Sequence, residues 1–292
     1  TKFGEAQEPM SDYSNDIGYY GPATLGGQKF NLLFDTGSAD LWVPQINYNN
    51  GMPTTHNTFN PDKSSTFKTN HKRFSINYGS GNTSGISATD VFEIAGFTIR
   101  KQTFGLSDVV SDDFTDSPFD GILGMALDNL SSLRAKTPFQ NLIDNGEVNS
   151  PVFSFVLGSV KEAYFWWNDP RFSDRIVYNP LNTNNGFWQI PLDDAHVNRR
   201  SLRLNGKSAI IDTGTTLLIV PRQAAELIHS LIPGAENNDG TYLIPTDTSV
   251  VVSLTFGGIS YEIKTEHLVV YDAGNGLSVS GIQGGSVTGS DD

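Results

Sequence analysis

LLFDTGSADLWVP (residues 32–44) and AIIDTGTTLLIVP (residues 209–221) are two copies of one unit. They agree at the Asp, Thr, Gly, Leu, Val and Pro positions and pair Ser38 with Thr215. In each copy an apolar run that reads as a buried strand delivers one aspartate, Asp35 or Asp212, into a loop. Burying a carboxyl is costly unless the group is paired or used. Turn chemistry accounts for the Asp and the Gly, but not for the shared apolar run ahead of them. The duplication therefore predicts two matched carboxyls in equivalent surroundings.

Two carboxyls within hydrogen-bonding distance cannot both ionise cheaply, so one keeps a proton while the other serves as a base. Such a pair can take a proton from a bound water, donate one to a carbonyl oxygen, and let the water attack without a covalent intermediate. The scheme calls for no metal, cofactor or nucleophilic serine. Which of the two aspartates is ionised is open at this level, because the pair titrates as a unit. Gly37 and Gly214 allow close backbone approach and N–H donation to the acids. Ser38 and Thr215 add hydroxyls that can orient the outer carboxylate oxygens, while Thr36 and Thr213 can bond across to the opposite loop.

The chain has 292 residues, enough for two related lobes, and we expect the division within 161–174 (KEAYFWWNDPRFSD), giving lobes of 1–170 and 171–292. It has no cysteine, and a chain of this length buries a sufficient core without disulfides. A net charge of −13, from 32 acidic against 19 basic residues, argues against a nucleic-acid partner. The acidity fits solubility and, more sharply, work at low pH. No stretch approaches the apolar length of a membrane span, and TKFGEAQEPM (1–10) lacks a signal-like pattern, so it reads as mature sequence. Nothing in the pattern calls for an oligomer, and a monomer is expected.

Glycine-punctuated, β-branched runs predict a mainly β chain. Turns are expected at Ala95-Gly96, Asn205-Gly206, Asp239-Gly240 and Gly257-Gly258. One helix should start with Thr137 as cap and Pro138 in its first turn and finish at Gly146. A second should run from Pro221 to Pro233-Gly234, with Ala224, Ala225, Leu227, Ile228 and Leu231 as its apolar face. Asn82-Thr83-Ser84 and Asn129-Leu130-Ser131 fit the N-glycosylation sequon.

Both Asp-Thr-Gly motifs, together with DLWVP, NYGSG (77–81) and FDGILGMA (119–126), resemble those of the pepsin-like aspartic endopeptidases, the secreted fungal members above all. The resemblance covers nearly the whole chain. It implies an all-β, bilobal acid-protease fold with a few short helices and a cleft between two related lobes, each giving one catalytic Asp. It further implies hydrolysis of internal peptide bonds of proteins at acid pH, and inhibition by peptide-like statines. By the same likeness Tyr78, flanked by Gly79, Ser80 and Gly81, caps the substrate from a mobile hairpin, and Trp42 offers its indole N–H to the Tyr78 hydroxyl. Phe114 and Ile122 would line the pocket for the residue before the cut bond and favour large apolar side chains. Ser80 stands where some fungal relatives carry an acid that helps accept lysine, so no lysine preference is expected. Secretion is the implied location, with an acidic vacuole as the alternative.

The chain departs from that pattern in three places. The family's disulfide cysteines are absent, and Trp166-Trp167 replaces an expected glycine pair. In the family the strand holding Ile122-Leu123-Gly124 threads the loop of the first catalytic Asp. At the same spacing its counterpart in the second half falls beyond Asp292, so a strand pair is expected to be missing from GIQGGSVTGSDD onward, as in a shortened form of the protein.

Overall fold

The structure, a computed structural model, describes residues 7–13, 17–51, 54–148, 150–157, 164–166, 176–204 and 206–286. The chain divides into two compact units: Thr1–Ile176 with Thr183–Trp188 and Ile211–Gly214, and Val177–Asn182 with Gln189–Ile210 and Thr215–Asp292. The second Asp-Thr-Gly thus groups with the first unit, which a single cut at residue 170 does not anticipate. The 161–174 segment lies largely outside the described residues, as does Trp167.

The first unit contains β1 (Gln7–Pro9), β2 (Ser11–Tyr13), β3 (Gly18–Leu25), β4 (Gln28–Asp35), β5 (Leu41–Pro44), α1 (Tyr48–Gly51), β6 (Lys68–Asn77) and β7 (Asn82–Ile94). These are followed by β8 (Phe97–Val110), α2 (Asp112–Thr115), β9 (Gly121–Gly124), α3 (Pro138–Asp144), β10 (Ser154–Val156) and β11 (Tyr164–Trp166). Eight strands form one sheet in the order β2-β3-β4-β9-β5-β8-β7-β6, and a further β3–β7 pairing closes it on itself. Ala95 and Gly96, both at positive φ, make the tight turn between β7 and β8. The last four residues of β4, Leu32 to Asp35, are all buried, the pattern of an inner strand.

β9 lies between β4 and β5, parallel to the first with Asp35 opposite Gly124, and antiparallel to the second. It also ties down the loop that joins them. Met125 N–H donates to the Asp35 carbonyl at 2.8 Å, Ala126 N–H to that of Ser38 at 2.8 Å, and Gly124 N–H to that of Asp40 at 3.0 Å. The carbonyls of Asp35, Ser38 and Asp40 are thereby satisfied, which ties the first Asp-Thr-Gly loop to β9. One apolar cluster, with Phe30, Phe34, Phe59, Phe92 and Phe104, fills the closed sheet. A second, containing Trp42, Tyr48, Val110, Phe114 and Ile122 with Tyr78 packed on it, lies elsewhere in the same unit. α3 starts where expected: the Thr137 hydroxyl accepts from Gln140 N–H at 3.2 Å.

The second unit holds β12 (Gln189–Leu192), β13 (Asp194–Val197), β14 (Arg200–Ser201), β15 (Lys207–Ile210), β16 (Leu218–Val220), α4 (Arg222–His229), β17 (Glu236–Asn238) and β18 (Thr241–Pro245). β19 (Val252–Phe256), β20 (Ile259–Ile263), α5 (Thr265–Leu268), β21 (Val269–Gly274), β22 (Leu277–Ser280) and β23 (Ile282–Gly284) complete it. Hairpins form at Asp239-Gly240 and Gly257-Gly258, all four residues being at positive φ. At Gly206 the chain turns, but β14 and β15 pair with different partners, so no hairpin forms there. β15, which leads into Asp212, pairs among the described residues with β12, and Ile282–Gly284 pairs in parallel with β16.

α4 ends at His229, earlier than the apolar pattern suggests, and Leu227 is exposed rather than part of the packed face. The face that packs is Ala225, Ile228 and His229. His229 is buried and stacked on Tyr242 at 4.0 Å, with Nδ1 donating to the Ala225 carbonyl at 2.7 Å and Nε2 accepting from the Ser280 hydroxyl at 2.9 Å. A polar residue took a core position because both ring nitrogens found partners.

Candidate active site

The end of β4 delivers Asp35 into the interior, 6% exposed. Gly37 N–H donates to its Oδ1 at 2.8 Å, and the Ser38 hydroxyl donates to its Oδ2. Asp212 is similarly held, with Gly214 N–H donating to Oδ1 at 2.8 Å. The two loops are joined by reciprocal bonds. Thr36 Oγ1 donates to the Ile211 carbonyl at 2.8 Å and accepts from Thr213 N–H at 2.9 Å. Thr213 Oγ1 donates to the Phe34 carbonyl at 2.6 Å and accepts from Thr36 N–H at 3.1 Å. Each threonine hydroxyl thus uses both its donor and an acceptor site, which is why an apolar side chain cannot replace it.

These bonds bring the carboxyls together, close enough for the charge of Asp212 to act on Asp35. The glycines make the approach possible. A Cβ on Gly37 would lie 2.5 Å from the Asp212 carboxyl carbon, and one on Gly214 would lie 2.3 Å from Asp35 Oδ1. Burial, followed by the charge of Asp212, raises the pKa of Asp35 to about 7 against the opposing bonds from Ser38 and Gly37. A carboxyl so raised beside a second carboxyl lets the pair hold one proton between them through the acid range.

Tyr78 begins the turn between β6 and β7, where Asn77 pairs with Asn82 and Tyr78 N–H donates to the Gly81 carbonyl at 3.0 Å. Its hydroxyl accepts from Trp42 Nε1–H at 2.8 Å. Phe114, on α2, packs edge-on against both Trp42 (5.5 Å) and Tyr78 (5.4 Å). Ile122 is buried on β9 opposite Trp42 in the same apolar cluster. Gly79 and Ser80 form the turn beyond Tyr78, and Ser80 is exposed. Burial and the nearby charge of Asp35 push the Tyr78 phenol well above its usual range, so it stays a neutral donor and acceptor.

Asn82 is exposed beside this turn, and Asn129 is exposed but donates its side-chain amide to the Thr183 carbonyl at 3.2 Å. Thr215 belongs to the second unit. Three further side chains also bear on the site. Asp40 is buried and accepts from Ser131 Oγ (2.5 Å), Ser132 N–H (2.8 Å) and Leu133 N–H (3.2 Å), anchoring the strand after the loop. Asn49 and Ser111 bond to the segment that carries Phe114 and to the turn that carries Tyr78. Only Asp40, adjacent to the first motif, had a sequence signal.

Among the described residues no three His, Asp or Glu side chains converge to hold a metal ion, and no helix is long and apolar enough to cross a membrane. The family profile described as Eukaryotic aspartyl protease matches residues 18–289. Rhizopuspepsin of Rhizopus chinensis is 35% identical over 278 residues, covering 91% of this chain and 70% of that protein. Rhizopuspepsin-1 of Rhizopus niveus is 34% identical over 91% of this chain and 71% of its own length. Pepsin A of Bos taurus is 34% identical over 96% of this chain and 77% of its own length. With the paired Asp-Thr-Gly loops and a match that spans nearly its whole length, the chain belongs to the eukaryotic aspartyl proteases and is an aspartic-type endopeptidase.

Proposed function

We propose that Asp35 and Asp212 are the catalytic pair of an acid endopeptidase that cuts internal bonds of proteins and peptides, preferring large apolar residues around the cut bond. The observation that supports this reading is that two cross-bonded Asp-Thr-Gly loops bring the carboxyls together, with burial and the Asp212 charge raising the pKa of Asp35 to about 7. The protonated member of the pair donates its proton to the scissile carbonyl oxygen while the ionised member accepts one from a bound water, whose oxygen attacks the carbonyl carbon. The tetrahedral product then collapses with protonation of the nitrogen and cleavage of the C–N bond. Thr36, Gly37, Ser38, Thr213, Gly214 and Thr215 orient the pair, and Tyr78 with Gly79 and Ser80 closes over the peptide. Phe114, Ile122 and Trp42 supply the apolar contact that favours a large side chain.

The enzyme acts as a monomer on proteins outside the cell, a setting that suits an acidic chain with acid-range chemistry. The test is cleavage of a denatured protein at about pH 3 to 4, blocked by a statine-type inhibitor and abolished in Asp35→Asn. A folded wild-type chain that binds the inhibitor but turns over no substrate would overturn the reading in favour of a binding role.

A further inference from the structure

The loop that follows β5 grips both ends of the segment carrying Phe114. At one end Asn49, itself at φ 49, spends its whole side-chain amide on one residue. Its Nδ2 donates to the Val110 carbonyl at 2.8 Å, and its Oδ1 accepts from Val110 N–H at 2.9 Å. At the other end His56 Nε2 donates to the Ser117 carbonyl at 2.8 Å. The loop is itself closed by a hydrogen bond from the Tyr48 hydroxyl to Thr54 Oγ1 at 2.9 Å, and Thr54 Oγ1 also accepts from His56 N–H at 3.0 Å.

Between those two grips lie Ser111 and Phe114. Ser111 exchanges two bonds with Asn82, its Oγ accepting from Asn82 N–H at 3.0 Å and its N–H donating to the Asn82 carbonyl at 3.0 Å. Phe114 packs on Tyr78 and Trp42. An unbroken series of contacts thus runs from Asn49 through Val110 and Ser111 to the Tyr78 turn, and through Phe114 to the Trp42–Tyr78 hydrogen bond. Val110 and Phe114 are buried in one cluster with Tyr48, so displacement of the segment would be felt by the whole group rather than absorbed locally.

We propose that Asn49, assisted by His56, is a positioning residue for peptide hydrolysis. It fixes residues 110–117 as the surface against which Tyr78 closes, and so sets the discrimination in favour of large apolar side chains. This rests on the proteolytic reading of Asp35 and Asp212. Left-handed backbone favours Gly or Asn, so Asn49→Gly removes the amide without straining the chain. Asn49→Asp is the conservative variant: protonated, its carboxyl has one O–H donor and an acceptor oxygen, and can restore both bonds to Val110, while ionised it has no donor.

The test uses the full chain, with rates normalised to inhibitor-titrated sites and kcat and KM measured on paired peptides carrying Phe or Ala before the cut bond. In Asn49→Gly the Phe-over-Ala ratio of kcat/KM should fall about tenfold, chiefly through KM for the Phe peptide. Asn49→Asp should match the wild type at about pH 3 and drift toward the glycine variant as its carboxyl ionises. His56→Ala should lower the ratio in the same sense. A purely structural role would lower the melting temperature while leaving the ratio and the pH profile of Asn49→Asp unchanged, and that result overturns the inference. If the wild type hydrolyses nothing, the proteolytic reading fails separately. The positioning is then read from the Trp42 indole N–H, assigned with Trp42→Phe, whose hydrogen exchange should quicken in Asn49→Gly; unchanged exchange refutes it.

Discussion

Removing the ionisable group at position 35 should change how stability depends on pH, and the sign and size follow from its surroundings. Asp35 is raised from an ordinary value of 3.8 to about 7, first by burial and then by Asp212. Between those two values the folded chain holds a proton that the unfolded chain has released. Stability from this group is therefore fully present below about pH 3.8 and is lost as pH rises through about 7. At roughly 1.4 kcal/mol per pH unit, the loss is about 4 kcal/mol. Asp35→Asn keeps the size of the side chain and cannot ionise. The variant should equal the wild type near pH 4 and exceed it by up to about 4 kcal/mol at pH 7.5 and above. Urea unfolding midpoints measured every half pH unit on both proteins give the difference for the pair, because the acids away from it cancel. Asp212→Asn should flatten the profile less, since burial outranks the Asp212 charge among the causes. Parallel midpoint curves for wild type and Asp35→Asn across the whole range would refute the argument.

Thr36→Val keeps the shape but leaves Thr213 N–H and the Ile211 carbonyl without their partner, so we expect a loss of about 2 to 4 kcal/mol in urea unfolding, largely restored by Thr36→Ser. Ser38→Ala removes a hydroxyl that opposes the rise of the Asp35 pKa, and the alkaline limb of the kcat/KM profile should move to higher pH, with kcat down about 10- to 100-fold. Tyr78→Phe takes the acceptor from the buried Trp42 indole and should lower kcat/KM by roughly tenfold and stability by about 1 to 3 kcal/mol, measured by steady-state kinetics and calorimetry. His229 is held below its ordinary 6.5 by burial, so its contribution is present above that value and lost as pH falls through the folded pKa. His229→Gln should therefore shift the acid unfolding midpoint of the chain to lower pH, as followed by circular dichroism.

The motifs taken together carried the family and the glycine-punctuated runs the β-rich architecture, and the repeat singled out the two aspartates because the apolar run before each acid and the glycine after it answer to local constraints of burial and close approach. The cap at Thr137 and the turns at Ala95-Gly96, Asp239-Gly240 and Gly257-Gly258 were equally readable, since capping and left-handed turns are decided within a few residues. The end of α4 was not, because a buried His229 bonded to Ser280 has no signature in the α4 sequence itself. Nor could Asn49 be picked out, as its two bonds reach Val110 across 61 residues. Only the tertiary structure decided how the two loops are joined. The reciprocal bonds of Thr36 and Thr213 reach across 177 residues, and a contact between such distant positions leaves no mark in the local pattern of either loop.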